Sequence, residues 1–123
     1  MKPEYIIGDI VMYDNKIMVV KEPRDGIHFD LSCPEEGLTY CFVNVNEIKP
    51  VDITCNILEK NGWNKWHGYF THSRIPRIEL CTDEYESKWS VSINGDIMGG
   101  YIYYLHQLQH ILFAFKIKEE MEV

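Results

Sequence analysis

The stretch Lys88-Trp89-Ser90-Val91-Ser92-Ile93-Asn94-Gly95 decides how this chain is read. Trp89, Val91 and Ile93 share one parity, and Lys88, Ser90 and Ser92 share the other. Successive side chains of a strand point to opposite faces, so the pattern predicts a strand with one dry face and one wet face, closed by an Asn-Gly turn. Upstream, Arg77-Ile78-Glu79-Leu80-Cys81 repeats it, with Ile78 and Leu80 set against Arg77, Glu79 and Cys81. Trp66-His67-Gly68-Tyr69-Phe70 reads as the first strand of the set, and Gly99-Gly100 as a turn after the last. An antiparallel three-stranded sheet follows, one face in water and the other covered.

The cover is a C-terminal helix, expected over roughly 101–118. At about 100° per residue, Tyr101, Tyr104, Leu105, Leu108, Ile111, Leu112 and Phe115 form one broad apolar stripe. His106, His110, Phe113 and Ile117 form a second stripe, too apolar for ordinary solvated surface. It packs on the N-terminal half or meets another copy of the chain. Glu119-Glu120-Met121-Glu122-Val123 reads as a solvated acidic tail.

Moving back from the sheet, Thr54 is suited to cap a short helix over 55–61, with Ile53 and Leu58 as a hydrophobic staple and Gly62 as its left-handed end. Before Asp52 the chain reads as five short strands. Ile10–Tyr13 and Ile17–Val20 flank an Asp14-Asn15 turn, Ile27–Leu31 alternates, Leu38–Val43 follows Pro34-Glu35-Glu36-Gly37, and Lys49-Pro50-Val51 is last. Strands so short are best buried by curling into a small barrel. The expected fold is therefore α+β: an N-terminal SH3-like small β-barrel at 1–51, then a helix, the three-stranded sheet and the C-terminal helix at 52–123, together one compact unit.

Composition narrows the function classes. A chain of 123 residues, 46% hydrophobic and 25% charged, has the size and make-up of one globular domain. No stretch approaches the roughly 20 apolar residues of a membrane-spanning helix, and Asp9 interrupts the N-terminus early, so a cytoplasmic protein without membrane contact is expected. Cys33, Cys41, Cys55 and Cys81 are scattered without a CxxC pair and read as thiols. The net charge of −7 opposes generic attachment to nucleic acid, which rests on Lys and Arg neutralising phosphates. Between Glu59 and Glu79, however, Lys60, Lys65, Arg74 and Arg77 stand with no acid.

With the segments placed, Ile7-Gly8-Asp9-Ile10-Val11, Ile48-Lys49-Pro50-Val51-Asp52-Ile53-Thr54, Leu58-Glu59-Lys60-Asn61-Gly62-Trp63, and Leu105-His106-Gln107-Leu108-Gln109 with Phe113-Ala114 can be compared as a set. In that order they resemble a family of short uncharacterised proteins common in gut Bacteroidetes bacteria and in their prophages, phages and mobile elements. The resemblance implies an SH3-like barrel followed by a helix, a small antiparallel sheet and a closing helix. It implies no catalytic residue. Members tend to carry Asn where this chain has His110, which weighs against a metal held by His106 and His110.

Chemical constellations are sparse. His106 and His110 stand four apart on a helix, as two zinc ligands would, but no third ligand or HExxH glutamate accompanies them, so two polar tips on a packed face suffice. No cysteine pair has ligand spacing, and no glycine pattern continues as a phosphate loop. Glu35-Glu36, Asp83-Glu84-Glu86 and Glu119-Glu120 lie in expected loops or the tail and read as solvated charge. Neither metal nor cofactor is expected.

Segment 60–77 is the candidate ligand or partner site, through Lys60, Trp63, Lys65, Trp66, Tyr69, Arg74 and Arg77. Aromatic faces beside cations suit stacking on bases or capture of a partner. The competing structural reading turns Trp63, Trp66 and Phe70 inward and leaves the cations as solubilising charge. His106, His110, Phe113 and Ile117 are the candidate self-association residues. The sequence thus points to a non-enzymatic protein-binding module of phage or mobile-element type, its partner a host or phage protein or a second copy in a homodimer. A nucleic-acid- or nucleotide-binding protein using 60–77 is the alternative, and an enzyme with an unrecognised site ranks last.

Overall fold

The computed structural model describes residues 5–82, 88–98, 100–115 and 121. The chain is α+β and mostly strand, dividing into two compact units, Met1–Val51 and Asp52–Val123.

The first unit is a five-stranded antiparallel sheet in the order β4-β3-β2-β1-β5. Its strands are β1 (Ile10–Tyr13), β2 (Lys16–Pro23), β3 (His28–Cys33), β4 (Leu38–Asn44) and β5 (Lys49–Pro50). Asp14 and Asn15 take positive φ, 52° and 58°, in the two-residue turn joining β1 to β2, the conformation their short polar side chains tolerate. Val11, Met18, Val20, Phe29 and Leu31 are buried in one core cluster, with Tyr13 and Tyr40 packed against it. The expected SH3-like barrel is not formed. Among the described residues the sheet is open, β4 pairing only with β3 and β5 only with β1. The reason lies at both edges. β5 has two residues, one of them Pro50, which has no N–H to offer a second neighbour. β4 is bulged, the register with β3 jumping between Phe29 and Leu31, and Phe42 sits at φ 55°.

That bulge is held by a buried carboxylate. Asp30 alternates with Phe29 and Leu31 yet is itself buried, because its Oδ1 accepts from the Phe42 N–H at 3.0 Å and its Oδ2 accepts from the Arg24 Nε at 2.9 Å. The Arg24 Nη2 also donates to Oδ2, and its guanidinium lies over the Phe42 ring. A residue that alternation assigns to water is therefore a tie between β3, β4 and the turn before them.

The second unit opens with α1 (Cys55–Lys60), where the Thr54 Oγ1 accepts from the Ile57 N–H at 3.2 Å, Ile53 and Leu58 are buried, and Gly62 at φ 88° ends the turn. Its sheet has five strands, not three, in the order β10-β9-β8-β7-β6. They are β6 (Trp63–Trp66), β7 (Tyr69–His72), β8 (Ile75–Thr82), β9 (Trp89–Ile93) and β10 (Asp96–Ile97). The segment read as one strand, Trp66 to Phe70, is a hairpin. His67 and Gly68 both take positive φ, 47° and 84°, which suits the twist of a two-residue turn. β8 and β9 pair Leu80 with Val91 and Ile78 with Ile93, so the dry parity lines up across the sheet.

Leu105, Leu108 and Leu112 of α2 (Leu105–Ala114) are buried. The helix is shorter than expected. Tyr101–Tyr104 is extended, Ile102 pairing with Trp89 and Tyr104 with Asp52, and Gln107 Oε1 accepts from the Tyr103 and Tyr104 N–H groups to start the helix at Leu105. That segment fixes the start of α2 beside β9, and at its end Phe115 lines a small gap with Ile78 and Ile93. Trp89 and Val91 of the dry face are fully enclosed, as are the three leucines of α2. Among the described residues, no helix is long and apolar enough to cross a membrane.

Candidate functional site

The hairpin β6–β7 sets out the residues of segment 60–77 by register. Trp63 stands opposite His72, Lys65 opposite Phe70, and Trp66 opposite Tyr69. Directly opposed residues share a face, so Lys65 belongs with buried Phe70 and Leu80, and Trp66 and Tyr69 belong with Cys81 and Ser90 on the other side. This second side is the wet face, continued by Asn64, Thr71, Glu79 and Ser92 in the next row.

The aromatic residues therefore separate. Trp63 is only 2% exposed, its ring edge-on to His72 at 5.4 Å, and offers no face to a ligand. Phe70 is buried against Trp89. Trp66, which the structural reading turned inward, is 69% exposed, and Tyr69 beside it 49%. The His67 ring stands edge-on to Trp66 with centroids 4.4 Å apart. The cations do not gather around this pair. Lys60 ends α1, Lys65 is on the opposite side of β6, and Arg74 lies in the turn between β7 and β8, at the far end of the hairpin. Arg77 alone shares the wet parity, two residues from Glu79 on β8.

His72 anchors the base of the hairpin. Its Nδ1 accepts from the Arg74 N–H at 3.0 Å, which leaves the ring proton on Nε2, and Nε2 donates to the Asn61 carbonyl at 2.9 Å. A neutral buried imidazole thus ties the end of α1 to the β7–β8 turn. No pattern in the sequence marks this role.

The self-association residues also part company. His106 is buried, its ring stacked on Tyr104 and edge-on to His110 at 5.5 Å, so it has no surface to give a partner. His110 is half-buried and Phe113 is 74% exposed. Ile117 lies outside the described residues. Burial, and after it the neighbouring His110, pushes the His106 pKa down to about 4.

An open cleft of about 300 Å³ is lined by Met12, Tyr13, Asp14, Asn15, Glu47 and Lys49. It holds no His or Cys, and its carboxylates stand on exposed turn residues, so no nucleophile faces a base there. Among the described residues no three His, Cys, Asp or Glu side chains gather as a metal site requires, and the four cysteines are free thiols.

The buried titrating groups give an acid profile with two stages. The His106 imidazole resists protonation in the folded chain and accepts it at about its ordinary value of 6.5 when unfolded, so stability is complete above that pH and erodes as pH falls towards about 4. Asp30 is the opposite chemical type with the same direction. Its hydrogen bonds from Arg24 and the Phe42 N–H hold its carboxyl below the usual value, so its contribution is present above the ordinary carboxylate range and lost as pH falls through the lower folded value. Urea midpoints measured across this range are expected to fall first between 6.5 and about 4, a slope that His106→Gln reduces. Asp30→Asn leaves that slope and reduces the further fall below it.

Comparison with family models, with curated proteins and with solved structures finds no match to this chain. The site is therefore defined by its geometry: an exposed Trp66–Tyr69 pair at a hairpin tip, continuous with the uncovered face of a five-stranded sheet.

Proposed function

We propose that the chain is a non-enzymatic protein-binding module that docks a basic partner protein on the wet face of its second sheet, with Trp66 and Tyr69 as anchors. The observation that carries this reading is the side-by-side exposure of those two rings across one register position. Trp and Tyr bring large, stiff contact area at low entropic cost and are over-represented among residues that dominate interface energies. Around them the sheet supplies Thr71, Glu79, Ser90 and Ser92, small hydrogen-bonding groups with one acid. Arg or Lys of a partner can stack on Trp66 and pair with Glu79, and the net charge of −7 steers a basic surface towards the chain. The resemblance to proteins of phages and mobile elements supports a cytoplasmic host or phage protein as that partner.

The nucleic-acid reading is weakened, because of the four cations of segment 60–77 Arg77 alone shares the side that carries the rings. A polyanion would meet Glu79 beside Arg77 there.

Trp66 also provides the test. Trp63 and Trp89 are enclosed, so an external quencher of fluorescence reports on Trp66. Peptide-display selection on the immobilised protein, counter-selected on Trp66→Ala, should enrich basic sequences that shield Trp66 from quencher and bind Trp66→Ala at least about 30-fold more weakly, the loss typical of an anchor residue. Oligonucleotides should leave the quenching unchanged at low salt. Enrichment indifferent to Trp66, or shielding by oligonucleotide, would overturn the proposal.

A further inference from the structure

We infer that α2 carries a second, separate interaction surface, through which two copies of the chain associate about a twofold axis, Phe113 against Phe113. From Leu105 to Ala114 the helix has no Asp, Glu, Lys or Arg. A helix at a protein surface ordinarily sets charged residues towards water. Here the outward positions are half-buried Gln109, His110 and Ile111, and exposed Phe113 and Ala114. Phe113 is among the most exposed large apolar side chains described.

Charge decides the occupant. Two copies at −7 repel each other generally, so they can meet only where each surface is free of like charge. Near a twofold axis every residue also faces its own counterpart. Glu or Lys is repelled by its copy, whereas Phe stacks on Phe and an uncharged side chain meets its like without repulsion. The helix consists of residues of that self-complementary kind. A basic partner finds no counter-charge on it, which separates this surface from the one on the sheet.

The measurement is sedimentation velocity of the full chain over a wide concentration range, at low and high salt. Expected is a shift to twice the monomer mass as concentration rises, reached at lower concentration in high salt because screening weakens the repulsion between copies. Phe113→Asp should raise the dimer dissociation constant by about 30-fold or more, with unchanged circular dichroism since the ring is exposed, and Phe113→Leu should largely retain the dimer. Trp66→Ala should leave association untouched. A monomer at every concentration, or a dimer indifferent to Phe113→Asp, overturns the inference. So does a dimer dissolved by Trp66→Ala alone, which would move self-association to the sheet and leave the helix unused.

Discussion

Trp89→Ala is expected to lower stability by about 4 kcal/mol, the scale for removing a fully buried Trp from a packed interior. Three connections meet at this residue. Its ring is enclosed and edge-on to Phe70, with centroids 5.5 Å apart. Its indole Nε1 donates to the Ile53 carbonyl at 3.1 Å, beside the cap of α1. Its backbone exchanges two hydrogen bonds of 2.9 Å with Ile102, which fixes the extended segment leading into α2. The first two belong to the side chain and the third does not, so the substitution should hollow the core without unpairing Ile102. Trp89→Phe separates the parts further. It keeps an aromatic ring against Phe70 and withdraws the N–H from a buried carbonyl, at a cost of about 2 kcal/mol. A loss of 4 is a large share of the 5–15 kcal/mol typical of a domain. Urea denaturation of both variants, followed by circular dichroism, provides the values. A loss below about 1 kcal/mol for Trp89→Ala would mean that the indole does not organise this core.

The centre of the second unit could be read from residues because its physics is local. In Ile78-Glu79-Leu80 and Trp89-Ser90-Val91 a period of two states which face is dry, and the register pairs those dry residues with each other. The cap at Thr54 and the turn at Asp14-Asn15 are likewise set by side chains acting on their own backbone. Legibility fails where tertiary partners decide. Asp30 looks solvent-facing until Arg24 and the Phe42 N–H are brought to it. Tyr101–Tyr104 fits a helical stripe, but Trp89 and Asp52 offer it strand partners and Gln107 starts the helix later. Barrel closure depended on edges whose pairing no composition reveals, although Pro50 was a visible warning. At the candidate site the missed signal was His67-Gly68. Reading it as a turn splits the strand, puts Trp66 opposite Tyr69, and sends Lys65 to the other side.

Burial then separates what sequence proximity joined. Trp63 and Trp66 are three apart, yet one holds the hairpin base and the other its exposed tip. His106 and Phe113 share a helical stripe, yet only Phe113 reaches solvent. Structural and interaction roles therefore alternate within single elements. The consequence is that the surfaces can be altered at Trp66 or Phe113 with little effect on folding, whereas alterations a few residues away should disturb both stability and binding.

Gly62 is the position where that coupling should be strongest. Gly62→Ala is expected to cost about 3 kcal/mol, from two sources. Its φ of 88° is a conformation that side chains with a Cβ rarely adopt, worth about 1–2 kcal/mol. An added Cβ would also stand 2.9 Å from the His72 Nε2. That atom cannot swing aside, because it donates to the Asn61 carbonyl while Nδ1 of the same ring accepts from the Arg74 N–H, and Trp63 closes the space beside it. Relief requires breaking a buried hydrogen bond, about 1–3 kcal/mol more. Gly95 is the internal control. It has nearly the same φ, 86°, and nothing within 4 Å of an added Cβ, so Gly95→Ala should show the backbone cost alone. Equal losses for the two variants would remove the steric contribution of His72. A greater loss at Gly62, reduced in a Gly62→Ala/His72→Ala double mutant relative to the sum of the single changes, would establish it. Since His72 faces Trp63 in the register that ends in Trp66 and Tyr69, displacing it also tilts the hairpin tip. Gly62→Ala should thus weaken partner binding without touching the binding face, and Gly95→Ala should not.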